Sequence, residues 1–237
     1  MSGHSKWATI KRKKAVIDAK RGKIFTRVSK EISIAARAGG DPASNARLRL
    51  LIDKARDANM PMDNITRAIK RGTGEIAGAQ YEAIHYEGYG PQGIAIMIET
   101  LTDNKNRTVA EIRKILTHYG GSMGESGSVG WMFNKMGVVQ ASGVAVTEDE
   151  LFEKLIEFDI SDIAHDGDLF TITCDPKSLE KVKEAVKQTG LKIDSAEVES
   201  VAQNKVEVSP EAEEKVHAFL NELEEHDDVQ DVYTNLG

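Results

Sequence analysis

The sequence predicts an α+β protein: an N-terminal three-helix bundle followed by two ferredoxin-like α/β domains, one inserted into the other. Three observations predict this class. Before residue 75, apolar side chains recur at the three- and four-residue spacing of helices. Residues 135–201 have the element order βαββαβ, which is a complete ferredoxin-like unit. The flanking segments 80–134 and 202–237 together supply the strands and helices of a second α/β domain.

The helical part is predicted as three amphipathic helices joined by short loops. Gly39-Gly40 should end the first helix, and Asp41 with Pro42 should cap and open the second. The chain should break at Met60-Pro61-Met62, and Asp63 should then cap a third, short helix that ends at Gly72. The side chains predicted to face the core are Ile24, Val28, Ile32, Ala36, Leu48, Leu51, Ile52, Ala55, Ile65 and Ile69.

A linker of small residues at 73–79 leads into the α/β part of the chain. The predicted strands lie at 81–87, 93–100, 136–141, 160–165, 168–174, 191–198, 205–208 and 229–233. The predicted helices lie at 107–119, 148–157 and 176–188, and a last helix opens at Ser209-Pro210. We therefore expect three domains: a basic arm and helical bundle at 1–75, a discontinuous α/β domain at 80–134 plus 202–237, and an inserted domain at 135–201.

Charge is distributed very unevenly along this chain. Residues 1–75 hold 18 Lys and Arg against 7 Asp and Glu, a net charge of +11. The other 162 residues hold 13 against 31, a net charge of −18. A dense cationic segment raises the local concentration of polyanions, and it is the usual footprint of a nucleic-acid-binding region. The alternative is a solvated helical surface without a partner.

The most basic part of the chain is an arm at residues 2–14 that shows no helical or strand period. This composition is typical of a segment that orders only on a polyanion. Trp7 lies within the arm, and it either packs on the following helices or stacks on an unpaired base. His4 has no partner at metal-ligand spacing, so we expect at most a phosphate contact from it. The residues predicted to bind nucleic acid are His4, Lys6, Trp7, Lys11, Arg12, Lys13, Lys14, Arg21, Lys23, Arg47, Arg67, Lys70 and Arg71.

Several long strings of residues resemble one protein family over the whole chain. They are Gly-His-Ser-Lys-Trp-Ala-Thr-Ile-Lys (3–11), Arg-Gly-Lys-Ile-Phe (21–25), Lys-Glu-Ile (30–32), Gly-Gly-Asp-Pro (39–42), Asn-Met-Pro-Met-Asp-Asn-Ile (59–65), Arg-Ala-Ile-Lys-Arg-Gly (67–72), Tyr-Glu-Gly-Tyr-Gly-Pro (86–91), Thr-Asp-Asn-Lys-Asn-Arg-Thr (102–108) and Gly-Ser-Val-Gly-Trp-Met-Phe (127–133). With these strings the chain resembles the YebC/PmpR family, which includes the mitochondrial translational activator of cytochrome oxidase.

The resemblance implies a non-enzymatic cytoplasmic factor with a helical domain and two α/β domains. Some family members are described as DNA-binding transcriptional regulators, and others as translation factors that act at the ribosome. We expect a DNA-binding transcriptional regulator that grips phosphates through its basic N-terminal region. The alternative is a ribosome-associated translation factor that binds ribosomal or transfer RNA. The acidic α/β domains are expected to contact protein partners or a second copy of the chain. No interaction with a membrane is expected.

Catalytic and cofactor-binding patterns are not apparent in the sequence. Gly88-x-Gly90-x-x-Gly93 matches a dinucleotide fingerprint, but a strand follows it where that fingerprint must open a helix. The single cysteine, Cys174, excludes an internal disulfide and lies in an alternating apolar segment typical of a buried thiol. We therefore predict no enzyme activity, no catalytic residues, no metal site and no cofactor. The polar N-terminus suggests no export signal, so the cytoplasm is the expected location.

Overall fold

The computed structural model describes residues 21–144 and 146–237, except for the side chain of Arg21. This part of the chain contains seven helices and two four-stranded antiparallel sheets, so the predicted α+β class with a helical region and two α/β parts is confirmed. The described residues form two compact units. The first unit contains residues 21–128 and 209–232, and the second contains 129–208 and 233–237. The three domain boundaries expected from the sequence stay a prediction.

Each helix and strand is labelled in chain order. The helices are α1 (Arg21–Ala35), α2 (Ala46–Asp57), α3 (Met62–Thr73), α4 (Lys105–His118), α5 (Glu148–Leu155), α6 (Leu179–Gln188) and α7 (Pro210–Glu225). The strands are β1 (Glu82–Tyr89), β2 (Ala95–Thr102), β3 (Ser122–Met123), β4 (Phe133–Ser142), β5 (Ile160–Asp166), β6 (Leu169–Cys174), β7 (Lys192–Ala202) and β8 (Val229–Thr234).

The three N-terminal helices bury one apolar face each against the others, as the spacing predicts. Their shared core contains Val28, Ile32, Ala36, Leu48, Ile52, Ala55, Ile65 and Ala68. Ile24 is an exception, because 43% of it is exposed one turn before the buried stripe of α1 begins. The apolar period therefore identified the right face of each helix and misplaced only this terminal residue.

The start of α2 differs from the prediction at Asp41. The N-cap of α2 is Asn45, whose side-chain oxygen accepts a hydrogen bond from the Leu48 amide at 3.0 Å. Asp41 instead accepts from the Ala43 amide at 2.9 Å and closes a separate turn before the helix. Aspartate and asparagine are both favoured N-cap residues, so residue type alone does not distinguish the two positions. The side-chain nitrogen of Asn45, Nδ2, also donates to the Ala35 and Gly39 carbonyls, and these contacts at the end of α1 fix where α2 begins.

The end of α3 differs from the prediction at Gly72. The helix continues to Thr73, and Gly74 ends it with a left-handed backbone at φ +82°. Gly72 is still helical and lies directly against α1, where a Cβ atom would collide with the Ser33 carbonyl oxygen and the Ala36 side chain. Glycine is required at position 72 for helix packing and at position 74 for the backbone turn.

The sheet of the first unit has the strand order β3-β1-β2-β8. The β1–β2 hairpin lies at its centre, with Glu82 opposite Thr102, and α4 and α7 pack against each other. The short edge strand β3 was not predicted, because its two residues lie in a stretch rich in glycine and serine at 120–128. The predicted strand at 205–208 is reduced to a single bridge between Val206 and Leu236.

The sheet of the second unit has the order β5-β6-β4-β7. In chain order this is the 4-1-3-2 arrangement of a ferredoxin-like βαββαβ unit, as predicted. Strands β4 and β6 pack on α5 and α6, and Phe170, Ile172 and Leu155 are fully or almost fully buried there. Cys174 is buried in the same core, and burial together with Asp175 raises the pKa of its thiol to about 11.

Candidate nucleic-acid interface

Three cations on one face of α1 are bound to other parts of the first unit. Lys23, Arg27 and Lys30 are spaced at i, i+4 and i+7, which places them on the same side of the helix. Lys23 Nζ donates to the Glu225 carbonyl at 3.0 Å, and Arg27 Nη2 donates to the Glu224 carbonyl at 2.6 Å. We call these three residues the docked cations.

The docked cations lie at the C-terminal end of α7. The last carbonyl groups of a helix have no partners within it, and they carry the negative end of the helix dipole. Cations are the natural partners for such groups. The contacts therefore satisfy carbonyls that would otherwise need water, and they attach the basic α1 helix to the most acidic end of the first unit.

Lys30 is the most deeply buried of the three docked cations, with 7% of its side chain exposed. Its ammonium group donates to Asp228 Oδ1 at 2.8 Å, to the Asp227 carbonyl at 2.9 Å and to the Leu101 carbonyl at 3.2 Å. Three acceptors match the three donors of an ammonium group. A buried lysine is tolerated in a fold only when it is compensated in this way.

Asp228 is the centre of the buried network, with 5% of its side chain exposed. While Oδ1 faces Lys30, Oδ2 accepts hydrogen bonds from Arg107 at 2.7 Å, from Thr108 at 2.7 Å and from Thr102 at 3.1 Å. Burial by itself raises the pKa of Asp228, but the hydrogen bonds from Lys30, Arg107 and Thr108 outweigh it. They hold that pKa far below its ordinary value, so Asp228 is ionised at neutral pH.

A histidine beside this network has a defined tautomer. His226 Nδ1 accepts a hydrogen bond from the Asp228 amide at 3.1 Å. Because a backbone amide can only donate, Nδ1 carries no proton in this contact. Nε2 lies 2.9 Å from Glu111 Oε2 and is the nitrogen that donates. His226 thus connects the loop before β8 to α4 and helps to hold the Asp228 backbone in place.

A second group of cations in the helical region is exposed. Arg67, Lys70 and Arg71 recur at helical spacing on the solvent side of α3, and Arg47 is exposed on α2. Within the described residues, none of these four side chains forms an ion pair or a hydrogen bond, whereas the neighbouring Arg56 is paired with Asp53 at 3.3 Å. We call these four residues the exposed cations. They can neutralise phosphates without first breaking an internal contact.

The predicted binding residues thus fall into three groups. His4, Lys6, Trp7, Lys11, Arg12, Lys13 and Lys14 lie outside the described residues, as does the side chain of Arg21. Lys23 is exposed but bound to a carbonyl at the end of α7. Arg47, Arg67, Lys70 and Arg71 lie on the helix surfaces, and no side chain among the described residues neutralises their charges. Whether any of these residues contacts nucleic acid stays a prediction.

Sequence reasoning missed the buried network around Asp228. Its side chains come from three places in the chain, and Lys30 and Asp228 are 198 positions apart. One signal was present, because the string Thr-Asp-Asn-Lys-Asn-Arg-Thr at 102–108 supplies Thr102, Arg107 and Thr108. That string opens α4, with Asn104 as its N-cap, and turns both threonine hydroxyl groups towards Asp228.

The described residues hold neither a metal-binding cluster nor a membrane-spanning helix. No group of three or more histidine, cysteine, aspartate or glutamate side chains is arranged to hold a metal ion within 21–144 and 146–237. Over the same residues, no helix has both the length and the apolar character needed to cross a membrane.

Two family models match consecutive parts of the chain. The model described as the TACO1/YebC protein N-terminal domain matches residues 5–75. The model described as the TACO1/YebC second and third domain matches residues 81–236. Together they cover the helical region and both sheets.

Individual relatives match over nearly the full length. A protein of Chlorobaculum tepidum named "probable transcriptional regulatory protein" is 54% identical over 100% of this chain and 95% of its own length. One of the same description from Acidithiobacillus ferrooxidans is 53% identical over 99% of this chain and 94% of its own. The crystal structure of a conserved hypothetical protein from Aquifex aeolicus superposes with a TM-score of 0.84 at 42% identity, covering 98% of this chain and 97% of that one.

Proposed function

Since the chain belongs to the TACO1/YebC family, we propose that it is a DNA-binding regulator of transcription, a non-enzymatic cytoplasmic protein that grips phosphates through its basic N-terminal region. The names of its relatives in Chlorobaculum tepidum and Acidithiobacillus ferrooxidans support a role in regulation. The observation that carries the nucleic-acid part of the proposal is the group of exposed cations Arg47, Arg67, Lys70 and Arg71, which have no internal partner in the described chain.

The binding mode follows from this arrangement. Arginine and lysine side chains on helix surfaces contact phosphates, which gives affinity but little sequence selection. The basic arm at residues 2–14 adds further cations and Trp7 to the same end of the chain. In this proposal the arm supplies contacts to bases, and the helical region supplies contacts to the backbone. The acidic remainder, at net −18, repels a polyanion and contacts protein partners or a second copy.

A salt titration tests the electrostatic part of the proposal. The affinity of the full chain for a fluorescently labelled DNA duplex is measured by anisotropy between low and high salt concentration. If about six phosphates are neutralised, log K falls against log salt with a slope of roughly −5. A slope near zero would contradict binding through the exposed cations. A duplex and a single-stranded RNA of equal length are titrated side by side, so that the preferred nucleic acid is identified.

Crosslinking in cells tests the regulatory part. Nucleic acid bound to the protein is recovered and sequenced, with both DNA and RNA retained. Discrete promoter fragments are the expected result for a regulator of transcription. Recovery of ribosomal or transfer RNA in their place would overturn the DNA assignment and favour the translation factor.

A further inference from the structure

A polar cavity of about 350 Å³ lies in the first unit where α1 and α3 end. The residues that line it include Arg37, Arg71, Gly72, Thr73, Gly74 and Gln80. Arg37, which follows the end of α1, and Arg71 of α3 therefore line the same cavity. Arg37 was not among the predicted binding residues. It directly follows Ala36, the last residue of the predicted apolar stripe, and it belongs to no sequence motif.

Close packing of the two helices places Arg37 and Arg71 at the same cavity. Gly72 allows α3 to approach α1 so closely that a side chain at this position would collide with the Ser33 carbonyl and with Ala36. Arg37 follows Ala36 directly, and Arg71 precedes Gly72. The contact between the two backbones therefore sets the positions of the residues that carry both guanidinium groups.

The linker after α3 holds the Arg71 side chain. The Ile76 amide donates to the Lys70 carbonyl at 3.3 Å, so the linker folds back over the end of the helix. The aliphatic stem of Arg71 then lies against Gly78, where an added Cβ atom would be only 3.1 Å from Arg71 Cγ and Cδ. Glycine at position 78 therefore leaves room for Arg71 to adopt this conformation.

The charge at the cavity is positive and not neutralised internally. Arg37 and Arg71 are exposed, and within the described residues neither side chain has an ion pair or a hydrogen bond. One carboxylate is bonded to the rim, because Glu75 Oε1 accepts a hydrogen bond from the Thr73 hydroxyl at 2.9 Å. Two guanidinium groups against this one acidic group favour an anionic ligand.

We propose that this cavity binds one phosphate group of the nucleic-acid backbone between Arg37 and Arg71; this rests on the proposed function and names the site at which a phosphate is fixed. Guanidinium groups bind phosphate oxygens through two parallel hydrogen bonds, and two of them can hold one phosphate in a defined orientation. The open mouth of the cavity suits a phosphate within a polymer. The neighbouring Arg67 and Lys70 on the surface of α3 then contact the adjoining phosphates.

The first experiment uses inorganic phosphate as the probe. The full chain is labelled with ¹⁵N, and the backbone amides of Gly72, Thr73, Gly74 and Gln80 are followed by NMR as phosphate is added. These four amides are expected to shift with a common saturation curve in the wild type. The shifts are expected to vanish in the double variant Arg37→Ala/Arg71→Ala. They are expected to persist in Arg47→Ala, which removes one guanidinium group outside the cavity.

A charge-neutral variant separates the cavity from general electrostatics. In Gly78→Ala the new methyl group would lie 3.1 Å from Arg71 Cγ and Cδ, so the flexible Arg71 stem has to shift by a few tenths of an ångström while the net charge stays the same. We expect Arg71→Ala to weaken binding of an oligonucleotide without terminal phosphates by about tenfold, the loss of a charge-assisted contact, and Gly78→Ala to weaken it by a smaller factor. Glu75→Gln should strengthen it. The urea midpoints of these exposed variants should equal that of the wild type.

Two results would overturn the proposal. One is that phosphate shifts the four amides equally in the wild type and in Arg37→Ala/Arg71→Ala. The other is that the oligonucleotide binds the wild type and Arg37→Ala/Arg71→Ala equally well and does not displace inorganic phosphate from the cavity. In either case salt-dependent binding by the wild type keeps the proposed function. A wild type that binds no nucleic acid at any salt concentration would instead contradict the proposed function itself.

Discussion

The docked cations and the exposed cations belong to the same basic segment, yet they serve different purposes. Lys23 and Arg27 on α1 bind carbonyl groups at the end of α7, and Lys30 binds the Asp228 carboxylate and two further carbonyl groups. Arg67 and Lys70 on α3 have no such partners among the described residues. The net charge of the segment therefore overstates the charge that can meet a polyanion. What decides the role of each cation is whether its helix face packs against the acidic part of the chain.

Burial explains why the two groups should respond differently to substitution. Removing one partner from a buried ion pair leaves the other charge without compensation, which is far more costly than losing an exposed pair. Exposed cations without a partner contribute almost nothing to folding stability. They contribute favourable free energy only when they bind a polyanion. Stability and nucleic-acid affinity can thus be changed separately within a single 75-residue segment.

The largest expected effect is on stability, from Asp228→Asn. This change leaves Lys30 buried without its counter-charge, and we expect the free energy of unfolding at pH 7 to fall by about 3–5 kcal/mol. Urea denaturation followed by circular dichroism measures it. The matched control is Asp53→Asn, which breaks the exposed pair with Arg56 and should change stability by less than about 0.5 kcal/mol. Equal losses for both variants would show that burial of the network is not what stabilises it.

The same network should give a stability difference that depends on pH in a known direction. The pKa of Asp228 is lowered in the folded protein, so its contribution is complete above the pKa of the unfolded chain, about 3.9. It is lost as the pH falls from there towards the lower pKa of the folded state. The gap between wild type and Asp228→Asn should therefore be constant from pH 7 to pH 5 and shrink below about pH 4. Denaturation at pH 7, 5 and 3 checks this, and a gap that widens in acid would contradict it.

Substitution of exposed cations should act on affinity alone. In Arg47→Ala/Arg67→Ala/Lys70→Ala, we expect the salt slope of nucleic-acid binding to lose about 3 units, since each phosphate contact contributes about 0.9. The urea midpoint should stay close to that of the wild type, because exposed positions contribute little to stability. Anisotropy titrations at several salt concentrations measure the slope. An unchanged slope would restrict phosphate binding to other cations of the segment.

The smallest effects are expected from the two docked cations that bind only carbonyl groups. Arg27→Ala should lower stability by about 1.5 kcal/mol, because the half-buried guanidinium loses a charge-assisted hydrogen bond. Lys23→Ala should cost less, since that ammonium group is exposed. Urea denaturation of both variants measures which of them loses more stability. If Lys23→Ala instead left stability unchanged and lowered the salt slope by about one unit, Lys23 would belong with the exposed cations.

Much of the fold could be predicted because helix and strand periods are local properties. The stripe that contains Val28 and Ile32 identifies the buried face of α1, and the βαββαβ order identifies the second unit. Errors occurred where two residues of similar chemistry compete. Asn45 rather than Asp41 caps α2, and Gly74 rather than Gly72 ends α3, because contacts with α1 decide each case.

The candidate site could be predicted only in part. The sequence alone determined the charge asymmetry, the positions of the helices and the presence of Arg47, Arg67, Lys70 and Arg71 on polar faces. The sequence could not distinguish these four exposed cations from Lys30, which is also a cationic residue on the polar side of an amphipathic helix. Only the tertiary structure decided that Lys30 is buried beside Asp228 and that Arg37 and Arg71 line one cavity. The physical reason is that periodicity reports how each helix faces its own core, whereas partners distant in the chain are chosen by packing.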